Sequence, residues 1–153
     1  MNTMYDGVLM ENQVTEVKVY FTNKISPKDR IKVTSKESAY NLFKVTWDVN
    51  TIELQETFKI MLLNRSIHLL GIATVGIGGI TECHVDIRMI FAIALKSAAV
   101  GIILAHNHPS GNLNVSKPDV DLTNRIVAAG KILQIEVLDH IIITKEGFAS
   151  VEV

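Results

Sequence analysis

The chain has 153 residues, enough for one domain of ordinary size, and 48% of them are hydrophobic, enough for a substantial core. Its formal net charge of -1 gives no electrostatic reason to expect a nucleic-acid or membrane partner. The single cysteine, Cys83, rules out an intrachain disulfide and suits a reducing compartment. The first residues carry no secretory signal, and charged residues interrupt the apolar stretch 89–105, so we expect a cytoplasmic protein with no membrane span.

The first third of the chain predicts strands around one helix. Residues 1–12 are polar and are expected to form a poorly ordered tail. Residues 14–21 alternate between apolar and polar side chains, which is typical of a strand, and 31–33 is a candidate for a second, shorter strand. Ser35 is placed to cap a helix that has Ser38 in its first turn. The expected apolar stripe of this helix consists of Ala39, Leu42, Phe43 and Trp47.

A hairpin is predicted next. Residues 58–62 alternate as a strand does, 64–66 form a turn, and 67–72 return as the partner strand. The glycines that follow predict a flexible stretch: Gly71, Gly76, Gly78 and Gly79.

The second half predicts alternating helices and strands. Helical spacing covers 85–99, and a continuous apolar run at 100–105 indicates a strand buried on both faces. A second helix covers 119–129 and is expected to end near Gly130, and a last strand covers 135–144. This order favours an α/β fold in which helices flank a mixed β-sheet, with 13–153 forming a single domain.

Two histidines follow the predicted buried strand directly, in the stretch His106-Asn107-His108-Pro109. Because side chains alternate along an extended segment, His106 and His108 point the same way and Asn107 points the opposite way. Two imidazoles on one face suit a tetrahedral zinc, and ligands of open α/β sheets gather at the carboxyl ends of strands. An isolated H-x-H pair is a weak metal signal, because most histidines are surface or core residues.

A catalytic zinc needs a third protein ligand and one position open to water. The nearby candidate is Asp119, at the start of the next predicted helix. The segment Ser116-Lys117-Pro118-Asp119 also has the form of a helix N-cap, so a purely structural role is the alternative interpretation. The two roles are compatible, since Ser116 can cap the helix and also face the site.

Together these residues resemble the JAMM motif of the MPN, or JAB-domain, metalloenzymes, in which an upstream glutamate precedes H-x-H-P and S-x-x-D. The variant His106-Asn107-His108-Pro109-Ser110-Gly111 is similar to the RadC branch found in bacteria. The resemblance covers about residues 30–153. Further RadC-like stretches are Glu56-Thr57-Phe58, Leu63-Asn64-Arg65, Gly78-Gly79, Asp86-Ile87-Arg88 and Asp139-His140-Ile141-Ile142.

The resemblance implies an MPN/JAB fold, which is similar to that of cytidine deaminases, and one Zn²⁺ per chain. It implies that His106, His108 and Asp119 are the metal ligands and that Ser116 hydrogen-bonds the oxyanion or the metal water. It maps the catalytic base best onto Glu56, which would pass a proton from the zinc-activated water to the leaving group. Glu53 is the competing carboxylate, and a solvated charge is the structural alternative for Glu56.

The remaining histidines and the cysteine leave alternatives open. His140 follows Asp139 on a predicted buried strand, where it could orient a metal ligand or be a satisfied core histidine. Cys83 could in principle reach the metal, but a small buried or loop residue is the favoured interpretation. His68 and His84 show no pattern of partners.

The function implied by the resemblance is that of a zinc-dependent metallopeptidase, in which a zinc-activated water attacks an amide or isopeptide bond of a peptide or protein substrate. Asn107 stands where the ubiquitin-type isopeptidases have Ser or Thr, which weakens the transfer of their substrate to this chain. One alternative is a DNA-repair-associated DNA-binding protein or nuclease, although the basic residues are scattered. Another is a non-catalytic MPN interaction module. The sequence leaves open whether the protein is a homodimer.

Overall fold

The computed structural model describes residues 18–79 and 83–153, which form a five-stranded sheet flanked by three α-helices. The strands lie in the order β2-β1-β3-β4-β5. Central β3 pairs with β1 in the antiparallel sense and with β4 in the parallel sense, so the sheet is mixed, as predicted. The strands are β1 (Thr57–Leu63), β2 (Leu69–Ile77), β3 (Gly101–Asn107), β4 (Glu136–Ile143) and β5 (Phe148–Val151).

The helices begin at side chains that satisfy their free N–H groups. The helices are α1 (Lys36–Thr46), α2 (Ile87–Lys96) and α3 (Lys117–Leu133), with a short 3-10 helix at Pro27–Asp29. Ser35 and Ser38 form a reciprocal capping box at the start of α1, and Asp86 accepts a hydrogen bond from the Arg88 N–H at the start of α2. The predicted cap at Ser35 is confirmed. In the described residues, no helix is long and apolar enough to cross a lipid bilayer.

The helices cover both faces of the sheet. On one face, β1 and β3 pack against α2 and α3; on the other, the alternate residues of the strands pack against α1. Such three-layer burial is what an α/β pattern of long apolar strands requires. The first core cluster includes Phe58, Ile60, Leu62, Ile90, Phe91, Ala94, Ile102, Leu104 and Ile126. The second includes Ala39, Phe43, Trp47, Met61, Leu63, Ile103, Ala105, Ile141 and Ile143.

The register of β3 sets the position of the predicted site. His106 is opposite Phe58 on β1 and Ile142 on β4, and all seven residues of β3 are buried. The strand extends beyond the predicted apolar run to include His106 and Asn107. The His108 N–H then donates to Ile143 O at 3.1 Å, which keeps the chain alongside β4 for one more residue.

The predicted N-terminal strand is wrong over 18–21, which form no regular structure, and its residues 14–17 lie outside the described part of the chain. The tail predicted at 1–12 also lies outside it. In place of a second strand at 31–33 there is an isolated bridge between Lys32 and His68. Alternation predicts an amphipathic segment, but strand formation also needs a neighbour to complete its hydrogen bonds.

Glycines lie inside regular structure at two places where the sequence predicts a break. β2 continues through Gly71 and Gly76 to Ile77, where a flexible stretch was predicted. α3 continues past Gly130 and ends with Gln134 in the left-handed conformation, at φ 56°. A Cβ atom at Gly130 would collide with the backbone oxygen of Ile135, so this glycine permits close packing and does not end the helix.

Candidate metal centre

The structure brings His106, His108 and Asp119 together, and they form a group of side chains that could hold a metal ion. His106 is at the carboxyl end of β3, His108 follows it by two residues, and Asp119 is in the first turn of α3. The Nε2 atoms of the two histidines are 3.0 Å apart, and His106 Nε2 is 3.2 Å from Asp119 Oδ1. His106 and His108 therefore point the same way, as strand alternation predicts.

These separations match the size of a zinc site. Four ligands placed tetrahedrally at about 2.1 Å from zinc are about 3.4 Å from one another. The two separations from His106 Nε2 are close to this value, and His108 Nε2 is 3.9 Å from Asp119 Oδ2. Two histidines and one carboxylate also leave a fourth position for water, as in catalytic zinc sites.

A turn after the histidines fixes the orientation of His108. The Gly111 N–H donates to His108 O at 3.0 Å, and Gly111 has φ of +78°, which glycine adopts without steric cost. The turn brings Asn112 O to 2.6 Å from His108 Nδ1. Because a carbonyl oxygen only accepts, His108 carries its hydrogen on Nδ1, and Nε2 presents a lone pair toward His106 and Asp119.

The two carboxylate oxygens of Asp119 have different partners. Oδ2 accepts from the Ser116 N–H at 2.9 Å and from the Ser116 hydroxyl at 2.5 Å, whereas Oδ1 is the oxygen nearest His106. Burial tends to raise the pKa of Asp119, but the contacts with His106 and Ser116 outweigh burial and hold the pKa below its usual value. The side chain is therefore an anion at neutral pH, as a metal ligand must be.

Ser116 caps α3, as the sequence predicted. Its hydroxyl accepts from the Asp119 N–H at 3.2 Å and donates to the Asp119 carboxylate, which completes a reciprocal capping box. Ser116 therefore caps the helix and orients the Asp119 carboxylate through the same pair of contacts. The role of Ser116 toward an oxyanion or a water remains a prediction.

Glu56 lies immediately before β1 and continues its pairing with the chain after β2. The Glu56 N–H donates to Gly79 O at 2.9 Å, and Glu56 O accepts from the Gly78 N–H at 2.8 Å. Glu56 is two residues before Phe58, the register partner of His106, so strand alternation assigns Glu56 to the sheet face of the metal ligands.

Two observations compare Glu53 with Glu56 as the candidate catalytic base. Glu53 is exposed and its carboxylate is 3.2 Å from Lys145 Nζ, so it forms a surface ion pair. Burial raises the pKa of the Cys83 thiol, and the charge of Glu56 raises it further, which indicates that these two side chains are neighbours. Cys83 packs against the core cluster on the face that carries His106. These observations favour Glu56 over Glu53, although its role as base remains a prediction.

Asn107 is a functional candidate whose role the sequence did not reveal. It points to the opposite face from the histidines, as predicted, and is fully buried. Its Oδ1 accepts from the Thr57 N–H at 2.7 Å, and its Nδ2 donates to Ile52 O at 2.7 Å and Gln55 O at 2.9 Å. Asn107 therefore holds the backbone on both sides of Glu56. A buried amide within an apolar strand is the only local sign of such a role.

His140 is both buried and bonded to a candidate ligand. Its Nε2 is 2.8 Å from His106 Nδ1, and its Nδ1 is 2.6 Å from the Thr123 hydroxyl, a contact that the sequence did not predict. Burial, together with the neighbouring His106, lowers the pKa of His140 to about 3, so the ring is neutral at physiological pH. The ring is therefore a core histidine that also contacts a candidate ligand.

The fold and the site together define a class of protein: an α/β domain with a His-x-His pair at the carboxyl end of a buried strand and an aspartate at the start of the next helix. A family model described as the RadC-like JAB domain matches residues 33–153. The chain belongs to the RadC-like JAB domain family, which includes JAMM-type metalloenzymes. The predicted fold and family are thereby confirmed.

Curated relatives agree with this assignment. The chain is 38% identical over 119 residues to a UPF0758 protein of Flavobacterium johnsoniae, covering 78% of this chain and 51% of the relative. It is 38% identical over 130 residues to a UPF0758 protein of Alkaliphilus metalliredigens, covering 80% and 56%. A UPF0758 protein of Caldanaerobacter subterraneus is 40% identical over 115 residues, covering 75% and 48%. The chain thus spans about half the length of these relatives.

Proposed function

We propose that this chain is a zinc-dependent hydrolase of the JAMM metallopeptidase type, acting on an amide or isopeptide bond. The observation that carries the proposal is the convergence of His106 Nε2, His108 Nε2 and an Asp119 oxygen at separations that suit one zinc ion. With the His108 hydrogen on Nδ1, the lone pair of His108 Nε2 is available to a cation placed between the two Nε2 atoms.

His106, His108 and Asp119 would hold the zinc, and Ser116 would keep the carboxylate in place. When bound, zinc supplies Lewis-acid polarisation of a substrate carbonyl and lowers the pKa of water to about 7. Glu56 would accept the proton from the attacking water and deliver it to the leaving nitrogen, and a carboxylate base is effective once the water is acidified. To donate to the oxyanion that develops on the carbonyl, the Ser116 hydroxyl would turn its single hydrogen away from Asp119 Oδ2, while the Ser116 N–H continues to hold that oxygen.

The two alternative functions have less support. A net charge of -1 and scattered basic residues offer no electrostatic footprint for a DNA partner. A non-catalytic interaction module has no need of three intact ligands or of the capping contact that orients one of them. Amide hydrolysis is therefore the proposal, with a peptide or protein as substrate.

The test compares the wild type with Glu56→Gln, using Glu53→Gln as the matched control at an exposed carboxylate. Each protein is assayed for zinc content and for cleavage of peptide, isopeptide and nucleic-acid substrates. We expect about one zinc per chain in all three proteins, and a loss of cleavage on the order of 10²–10⁴-fold in Glu56→Gln alone, because general-base catalysis contributes that much. Absence of zinc from the wild type, or full activity of Glu56→Gln, would refute the proposal.

A further inference from the structure

A buried chain of side-chain contacts joins His106 to the backbone of α3. His106 Nδ1 is 2.8 Å from His140 Nε2, His140 Nδ1 is 2.6 Å from Thr123 Oγ1, and Thr123 Oγ1 is 2.6 Å from Asp119 O. His106 is 1% exposed, and Thr123 and His140 are 0% exposed. The chain thus begins at one candidate ligand and ends at the backbone of another, without contact with solvent.

The last contact fixes the direction of the hydrogen bonds. A carbonyl oxygen only accepts, so the hydroxyl of Thr123 donates its single hydrogen to Asp119 O. The Thr123 oxygen must then accept from His140, which therefore carries a hydrogen on Nδ1. The reverse direction would leave two oxygens at 2.6 Å with no hydrogen between them.

His140 in turn determines which nitrogen of His106 carries the hydrogen. His140 is hydrogen-bonded to a hydroxyl and an imidazole, neither of which is anionic, so no hydrogen-bond partner would compensate a charge on this buried ring. A neutral His140 with its hydrogen on Nδ1 can only accept at Nε2, so the hydrogen of the contact between the two rings belongs to His106 Nδ1. In a neutral His106 the lone pair is then on Nε2.

We infer that Thr123 and His140 are positioning residues that hold the hydrogen of His106 on Nδ1 and so keep Nε2 available as a metal ligand. The inference rests on the proposed function only where it names His106 as a metal ligand. The direction of the hydrogen bonds follows from Asp119 O, which can only accept. The Phe58 ring packs next to both imidazoles. Its centroid is 6.1 Å from that of His106, in a parallel arrangement, and 5.5 Å from that of His140, edge to face. The Thr123 hydroxyl therefore acts on His106 through His140, without touching the side chain of any candidate ligand.

The first arm of the test needs no variant. Nitrogen-15 NMR of the metal-free wild type reports which ring nitrogen of each histidine carries the hydrogen, and we expect Nδ1 for both His106 and His140. A His106 ring that lacks a hydrogen on Nδ1 would overturn the inference. If the wild type binds no zinc but His106 is protonated on Nδ1, the proposed hydrolase fails while the assigned tautomer stands.

The second arm compares Thr123→Val with Thr123→Ser, which keeps the hydroxyl, and uses zinc affinity as the readout. In Thr123→Val, His140 loses its acceptor at Nδ1 and can move its hydrogen to Nε2, which would push the His106 hydrogen onto the metal-facing nitrogen. We expect a 10- to 100-fold weaker zinc affinity, the typical effect of losing a partner behind a ligand, together with a mixed His106 tautomer by NMR.

Two controls separate positioning from simple loss of packing. Thr123→Ser is expected to bind zinc nearly as the wild type does. Thr46→Val removes a hydroxyl that donates to Phe43 O at 2.7 Å in α1, on the opposite face of the sheet, and should leave zinc affinity unchanged. Wild-type affinity in Thr123→Val would overturn the positioning role, while the hydrolase proposal would stand.

Discussion

Asn107→Leu is the substitution that most directly tests how the metal motif is linked to the proposed base. Asn107 is 0% exposed and makes three hydrogen bonds, to Thr57 N, Ile52 O and Gln55 O. Leucine has the same branched outline and is larger, so the change removes the hydrogen bonds without opening a cavity. It leaves one N–H group and two carbonyl oxygens unsatisfied in the segment that carries Glu56.

The expected loss of stability follows from these three groups. An unsatisfied buried polar group costs about 1–3 kcal/mol, so Asn107→Leu should lower the free energy of unfolding by roughly 3–9 kcal/mol if all three stay buried. This is a large part of the 5–15 kcal/mol that is typical of a domain, so urea unfolding should show a clear shift of the midpoint. Asn41→Leu, at an exposed position of α1, is the matched control and should change stability by less than about 0.5 kcal/mol.

The same variant should reduce cleavage more than it reduces zinc binding. His106 and His108 face away from Asn107, whereas the backbone on both sides of Glu56 is bonded to it. A displacement of about 1 Å at a catalytic group can cost about 10²-fold in rate. A stability loss below about 1 kcal/mol, or unchanged turnover in the folded variant, would show that Asn107 does not hold the Glu56 segment.

Two further predictions concern stability. Burial lowers the pKa of His140 from 6.5 to about 3, so on acidification the unfolded state binds the extra proton first. The metal-free protein should therefore lose roughly 2–3 kcal/mol of stability as the pH falls from about 6.5 to 4.5. Urea unfolding should show this loss greatly reduced in His140→Gln but not in His84→Gln. Gly130→Ala should destabilise α3 by about 1–3 kcal/mol despite alanine's higher helix propensity, since the new Cβ would collide with the Ile135 backbone. Gly71→Ala, whose Cβ would have no neighbour within 4 Å, is the control, and equal midpoints for the two glycine variants would contradict the steric argument.

Local sequence determined those features that depend on neighbouring residues. The cap at Ser35, the cap at Ser116 and the common direction of His106 and His108 all follow from the periodicity of helix and strand, so they could be predicted without the fold. The hairpin and the alternation of helices with strands were predicted on the same basis. The RadC-like motif then predicted the three ligands, and the structure brings their side chains together.

Tertiary structure decided every contact between distant parts of the chain. The ion pair of Glu53 with Lys145, the contact of Asn107 with Thr57 and the contact of His140 with His106 all depend on how distant segments pair, which periodicity does not specify. The same limit explains why a strand was wrongly predicted at 18–21 and why β5 was not predicted. A strand forms only where a neighbouring strand completes its backbone hydrogen bonds. The candidate zinc ligands could therefore be predicted from local pattern and resemblance, whereas the residues that contact them from behind required the folded sheet.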